Sequence, residues 1–277
     1  MKRAFVIGYP ITHSRSPLIH NFWLDRFGLD GSYERIAVAP GEFESFARAL
    51  GDQGFCGGNV TVPHKEAAFR LAAVEDPVAR SLQAVNTLWL EDGVLMGANT
   101  DVAGFLANLD QGAPGWSQTL GRAIVLGAGG ASRAVLYGLL QRGAGEIVLL
   151  NRTVERAEAL AAHFGSKIRV LPWDGADLAM ARVDLLVNTT SLGMKDQPPL
   201  DLELSLLPKT ALVTDIVYVP LETPLLAQAR ALGLRTVDGL GMLLHQAVPG
   251  FERWFGMRPE VSDELRSLVI ADIEGKV

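Results

Sequence analysis

The chain has 277 residues, 48% hydrophobic, 20% charged and 7% aromatic, a length that favours two domains or one large one and a composition that excludes disorder and fibrous repeats. Twenty-five Lys and Arg against 31 Asp and Glu leave a net charge of −6, which argues against a nucleic-acid surface and for a small-molecule partner. One cysteine, Cys56, can close no intrachain disulfide and build no multi-cysteine zinc site, so a reducing cytoplasm is expected.

Met1-Lys2-Arg3 and the apolar run to Ile11 imitate a secretory leader, but Pro10 and His13-Ser14-Arg15-Ser16 end the run too early, and 4–8 is better read as a buried strand. Charges interrupt every candidate for the roughly 18 apolar residues of a membrane span. Ser16 as cap, Pro17 at the first position and Gly28 as stop frame a helix over 17–27. A helix follows at 41–50, with Phe43, Phe46 and Leu50 on one face, then a strand at 55–62 that Pro63 ends, so that His64 and Lys65 open the next helix. Residues 110–121, with Gly112, Pro114 and Gly115, have the composition of a surface connection between compact units. Beyond it, strand 123–126, helix 131–142, strand 147–150 and helix 153–164 make a βαβα unit. Strands at 185–188 and 212–215, a helix at 223–232 and a short strand at 236–237 extend it. Helices at 242–255 and 262–274 close the chain, and periodicity assigns them to neither half. Alternating apolar runs and amphipathic segments of this kind mark an α/β protein.

Between strand and helix lies Gly127-Ala128-Gly129-Gly130-Ala131-Ser132. Such a turn brings backbone N–H groups and the positive end of a helix dipole to a pyrophosphate, although tight strand-to-helix turns need glycine in any case. The second strand ends in Asn151-Arg152-Thr153, with Arg156 one turn on and no Asp or Glu where a ribose-binding carboxylate would sit. Guanidinium groups there suit a 2′-phosphate, so NADP is preferred; the plain alternative is a solvated helix start with Glu155 among its charges.

The first hundred residues carry a polar constellation at strand ends: Ser14 and Ser16, Asn59 and Thr61 on one face of their strand, Lys65 just past it, Asn86-Thr87, and Asn99-Thr100-Asp101. Hydroxyls, amides, an ammonium and a carboxylate together suit a polyhydroxylated anion. Each has an ordinary alternative: Ser16 and Asp101 as helix caps, the asparagines as turn residues, Lys65 as a solvated lysine. His13, His20, His64 and His245 show no metal-binding spacing, and no metal is expected.

These residues resemble the shikimate dehydrogenases along nearly the whole chain. The resemblance is carried by Gly8-Tyr9-Pro10, His13 to Pro17 with His20-Asn21, Asn59-Val60-Thr61-Val62-Pro63-His64-Lys65, Ala84-Val85-Asn86-Thr87 and Gly97 to Asp101 with Gly104-Phe105. It continues through Gly127 to Ala131, Asn151-Arg152-Thr153, Asn188-Thr189-Thr190-Ser191-Leu192-Gly193-Met194, Asp215 to Pro220 with Thr223 to Leu226, and Gly239 to Gln246. It implies a mixed-sheet α/β substrate domain, 1–108 completed by 239–277, a doubly wound Rossmann-type NADP-binding domain, 109–238, and a cleft between them. It implies reversible reduction of 3-dehydroshikimate to shikimate with NADPH, in aromatic amino-acid (chorismate) biosynthesis. The substrate carboxylate would meet Ser14, Ser16 and Tyr218, and the ring hydroxyls Asn59, Thr61, Asn86, Asp101 and Gln246. NADP would meet Gly127, Ala128, Gly129, Gly130, Ala131, Asn151, Arg152, Thr153, Arg156, Thr190 and Gly239. Thr189 departs from the alanine common in the family, a change expected to be tolerated. A monomer or homodimer is expected.

Hydride arriving at a carbonyl carbon leaves negative charge on oxygen, so a positioned proton donor is needed there. Lys65 is the candidate, paired with Asp101, and the sequence leaves open which of the two formally transfers the proton. A helix start disfavours its positive charge and Asp101 favours it, which leaves the ammonium usable as an acid and, in reverse, as a base. The rival readings are an NAD-dependent quinate/shikimate dehydrogenase, against which Asn151-Arg152 argues, and a non-catalytic NADP-binding sensor, which would have no use for Lys65 and Asp101.

Overall fold

The computed structural model describes residues 1–276, and its packing divides the chain into two compact units, 1–101 with 244 onward, and 102–243. In the first, β1 (Lys2–Gly8), α1 (Ser16–Phe27), β2 (Gly31–Ala37), α2 (Phe43–Arg48), β3 (Phe55–Val60), α3 (Lys65–Leu71), α4 (Pro77–Leu82), β4 (Thr87–Glu91) and β5 (Val94–Ala98) follow one another. Their five-stranded sheet has the order β2-β1-β3-β4-β5. The β2-β1-β3 pairs are parallel and the β3-β4-β5 pairs antiparallel, so the sheet is mixed. Phe5, Ile7 and Val60 bury one face against Phe43, Ala47 and Ala68. Ala4 and Val6, alternate to them along β1, are buried as well, so both faces are covered.

Helix α1 starts one residue earlier than expected, with Arg15 as its cap residue and no side-chain cap; Ser16 is inside the helix, and its hydroxyl meets that of Ser14 instead of the backbone. Gly28 ends the helix in the left-handed region at φ 62°, where a residue without Cβ turns the chain freely.

The second unit takes in most of α5 (Asp101–Gly112), then β6 (Arg122–Leu126), α6 (Gly130–Gln141), β7 (Glu146–Leu150), α7 (Val154–Phe164), β8 (Ile168–Leu171), α8 (Ala176–Met180), β9 (Leu185–Asn188), β10 (Leu212–Asp215), α9 (Pro224–Ala231) and β11 (Arg235–Val237). All six strands pair in parallel in the order β11-β10-β9-β6-β7-β8. The order reverses direction beside β6, the doubly wound topology whose ligand position is the carboxyl end of the strands at that reversal. Ala123 and Val125 bury one face, Ile124 and Leu126 the other. A parallel sheet covered on both sides has no polar alternation.

By packing the second unit runs over 102–243, beside the expected 109–238: Phe105 of α5 belongs to the core of this second sheet and Met242 packs against it. Residues 110–121 are not a loose linker either: Ala113, Trp116 and Leu120 are buried in the same core. Helix α10 (Leu240–Phe255) begins in the second unit and continues into the first, where Ser262 caps α11 (Asp263–Ile273) by accepting from the Leu265 N–H at 3.2 Å.

Candidate active site

Strand β3 ends at Val60, two residues short of the expected 62, and four residues, Thr61 to His64 with Pro63 among them, lead into α3, whose first residue is Lys65. Its Nζ donates to Asp101 Oδ2 at 2.6 Å, with the lysine side chain 29% and the aspartate 15% exposed. Asp101 opens α5, but its carboxylate is not a cap. Asn99 Oδ1 accepts the Asp101 N–H at 2.9 Å, and the carboxylate is held by Lys65 and by Asn86 Nδ2, 2.9 Å from Oδ1.

Asn86 is the hub. Thr100 N–H, which can only donate, lies 2.9 Å from Asn86 Oδ1 and fixes that oxygen toward Thr100, so Nδ2 faces Asp101 and, at 3.4 Å, Gln246 Oε1. Thr100 Oγ1 donates to the Gln246 carbonyl at 2.8 Å, so α10 is tied to the same cluster. Asn59, 5% exposed at the end of β3, donates from Nδ2 to the Asn86 carbonyl at 3.1 Å and accepts at Oδ1 from the Tyr33 hydroxyl at 2.6 Å. Thr61 follows β3 and bonds through its N–H to Ile7 O at 2.9 Å. Ser14 Oγ donates to Ser16 Oγ at 3.3 Å at the entrance to α1.

The first unit thus joins Asn59, Asn86, Asp101, Lys65 and Gln246 in one hydrogen-bonded chain, and holds Ser14 and Ser16 as a pair. Tyr218 is a residue of the second unit, half-buried in the segment after β10. Tyr33 was missed by sequence reasoning; its signal is weak, a lone buried aromatic in the strand Gly-Ser-Tyr-Glu-Arg-Ile-Ala.

In the second unit, Gly127 lies at φ +100° and a Cβ on it would come within 2.9 Å of Thr189 Oγ1, so the turn closes only around glycine. Space is open where a Cβ would stand on Gly129 and Gly130. Helix α6 starts with no side-chain cap and no acidic residue in its first turn, which leaves the N-terminal N–H groups to a ligand. The Ala128 N–H is held by Asn151 Oδ1 at 3.0 Å, so Asn151 braces the turn through its side chain. Arg152, Thr153 and Arg156 are exposed at the start of α7, and neither arginine has an ion-pair partner among the described residues. This set fits a pyrophosphate with a further phosphate beside it.

Thr189 Oγ1 donates to Leu126 O at 2.6 Å, a bond that an alanine would leave unmade. Thr190 Oγ1 donates to Asn188 Oδ1 at 2.7 Å and accepts from the Leu192 N–H at 3.1 Å, which shapes the turn after β9. Asn188 Nδ2, the Val217 N–H and Thr223 Oγ1 all donate to the Asp215 carboxyl, at 3.0, 3.0 and 2.8 Å. Burial pushes that carboxyl up to about 6 against the downward pull of its three donors. Gly239 is packed so closely on Ile216 O that a Cβ would collide with it.

Three family models match: the shikimate dehydrogenase substrate binding domain over residues 6–88, shikimate / quinate 5-dehydrogenase over 116–195, and the shikimate 5′-dehydrogenase C-terminal domain over 239–263. The shikimate dehydrogenase (NADP(+)) of Azorhizobium caulinodans is 60% identical over 276 residues, covering 100% of this chain and 98% of its own. The chain belongs to the shikimate dehydrogenases. The shikimate dehydrogenase (NADP(+)) of Methylocella silvestris is 61% identical, over 98% of this chain and 97% of its own. Among solved structures, shikimate 5-dehydrogenase from Thermus thermophilus in complex with NADP(H) and shikimate has a TM-score of 0.86 at 37% identity, with 100% of both chains covered. A quinate dehydrogenase from Corynebacterium glutamicum in complex with NAD has a TM-score of 0.90 at 32% identity, covering 98% of this chain and 99% of its own. Among the described residues of this family member no helix is long and apolar enough to cross a membrane.

Proposed function

We propose that Lys65 and Asp101 form the proton-handling pair of this NADP-dependent oxidoreductase, which reduces 3-dehydroshikimate reversibly to shikimate in aromatic amino-acid biosynthesis. The observation that carries the proposal is the 2.6 Å ion pair, with the second aspartate oxygen held by Asn86. In the proposal the first unit is the substrate-binding catalytic unit and the second binds NADP. When bound, NADPH supplies the hydride. The chain supplies the proton: Lys65 Nζ gives it to the carbonyl oxygen as that oxygen gains negative charge, and takes it back from the alcohol in the oxidative direction. Asp101 keeps the ammonium aimed and balances its charge. Asn59, Thr61, Asn86, Asp101 and Gln246 take the ring hydroxyls, and Ser14 and Ser16 donate to the carboxylate. Tyr218 is carried over from the family as a carboxylate contact. Gly127 to Ala131, Asn151 to Thr153, Arg156, Thr190 and Gly239 take the cofactor, with Arg152 and Arg156 on the 2′-phosphate. The protein works as a monomer or homodimer in a reducing cytoplasm.

Lys65→Ala is expected to lower kcat by about 10²–10⁴-fold with a smaller change in KM for shikimate, since general acid–base catalysis carries that weight. Turnover close to that of the parent enzyme would remove Lys65 from the chemistry. Initial rates with shikimate and quinate, each with NADP and NAD, are expected to be highest for shikimate with NADP. A preference for quinate and NAD would support the rival activity, and tight NADPH binding without turnover a sensor.

A further inference from the structure

Tyr33 is 3% exposed in a strand that otherwise faces largely outward. Ala4 is its register partner on β1, and Val6 on the same strand pairs with Asn59. The small side chain of Ala4 lets the tyrosine ring lie across β1 and bring its hydroxyl within 2.6 Å of Asn59 Oδ1. The direction of this hydrogen bond follows from its neighbours. Asn86 O can only accept, so the group 3.1 Å from it must be Asn59 Nδ2; Oδ1 then faces Tyr33, and the phenol has to donate. Burial pushes the Tyr33 phenol well above its ordinary ionisation range, while Asn59 and the Ser16 hydroxyl pull it down, so it stands between two substrate-site residues as a protonated donor. The ring is clamped by a stack on His20 with centroids 4.0 Å apart and planes 11° off parallel, and by Trp254 at 5.9 Å.

We propose that Tyr33 is a positioning residue for shikimate: its hydroxyl locks the Asn59 amide in the orientation that keeps Nδ2 on the Asn86 carbonyl, its second N–H, 3.4 Å from Thr87 Oγ1, being the one a ring hydroxyl would take. The proposal rests on Asn59 being a substrate contact. Without the phenol proton, Asn59 Oδ1 is an unpaired buried acceptor, and rotating the amide would set Oδ1 against Asn86 O, acceptor against acceptor. Either outcome weakens substrate binding. Neither touches the Lys65–Asp101 pair directly, so the effect belongs in KM and not in kcat.

The test is Tyr33→Phe, which deletes one hydroxyl and keeps the ring, assayed alone and in an Asn59→Ala background. Shikimate binding to the same proteins is read by calorimetry. Tyr33→Phe is expected to raise KM and Kd for shikimate about 10-fold, the scale of one neutral hydrogen bond, with kcat and KM for NADP within about twofold. In the Asn59→Ala background the same change is expected to add less than about twofold, because the group being positioned is gone. An unchanged KM in the single variant, a full 10-fold effect without Asn59, or an equal loss in kcat and in both KM values would each overturn the positioning role. 3-Fluorotyrosine at position 33 keeps a donor of the same shape and should hold the parental KM; a rise like that of the Phe variant would also overturn it. Asn59→Ala alone separates the two readings. If it leaves KM for shikimate unchanged, the substrate contact itself falls; if it raises KM while Tyr33→Phe does not, only the role of Tyr33 falls.

Discussion

His20 is fully buried, and neither ring nitrogen has a hydrogen-bond partner. Asn59 pulls its pKa upward, but the Asn59 amide spends its hydrogen bonds on Tyr33, Asn86 and Thr87, so desolvation dominates and holds the imidazole near about 3 against 6.5 when exposed. A group whose folded pKa is depressed contributes stability that is present above its unfolded pKa and lost as pH falls toward the folded one. The His20 contribution is therefore complete above 6.5, declines below it, and totals on the order of 5 kcal/mol at about 1.4 kcal/mol per unit. Asp215 has the opposite sign. Its carboxyl is raised from 3.8 to about 6, so its contribution is complete below 3.8 and lost as pH rises through 6. The two slopes offset one another between pH 4 and 6. Urea unfolding of a His20→Phe variant should expose the Asp215 slope, with stability rising as pH falls from 7 to 5; a pH profile unchanged from that of the parent protein would show that His20 is not the acid-sensitive group.

At the scale of the element, the turn between β6 and α6 requires glycine for two separable reasons. Gly127 has a left-handed φ and meets Thr189, whereas Gly129 and Gly130 have open space that a phosphate can fill. Gly127→Ala is expected to cost at least about 1–2 kcal/mol in thermal stability and to raise KM for NADP. Gly28→Ala, at φ +62° with nothing within 4 Å, should cost about 1 kcal/mol and leave KM for NADP as it was. At the start of α7, Arg152→Ala should weaken NADPH much more than NADH, measured by fluorescence titration; equal losses would mean that the 2′-phosphate is held elsewhere. The helix caps follow the same local logic. Thr223 accepts from Leu226 N–H and Ser262 from Leu265 N–H, as short polar residues before apolar periodic segments should.

At the scale of the whole molecule, one chain builds two covered sheets, with the last helix and most of α10 returning to the first. If the first unit binds shikimate and the second NADP, hydrogen exchange should respond separately to each ligand. Shikimate should slow exchange around 14–17 and 59–65, and NADP around 128–133 and 151–156, since binding to the folded form adds RT ln(1 + [L]/Kd) to local stability. At about 100 times Kd that is about 2.7 kcal/mol, roughly a hundredfold in exchange rate. NADP protection confined to the first unit would overturn the assignment of units.

The amino-acid sequence determined the buried strands of the second unit, because they are continuous apolar runs between glycine and proline punctuation, and 185–188 and 212–215 fall where those runs fall. It also carried the polar residues of the site and the turn glycines, whose chemistry is local. The edge strands β2 and β8 escaped it. Only Tyr33 of the one and Ile168 of the other are buried, too few to make a period. Whether Asp101 was a cap or a partner of Lys65 was decided by Lys65 and Asn86, which hold its two carboxylate oxygens from distant parts of the chain. The orientation of Asn59 was decided by Tyr33 and Asn86 together, 26 and 27 residues away along the chain. Hydrogen-bond direction in a buried network depends on every neighbour at once, and those neighbours exist only after the strands have paired.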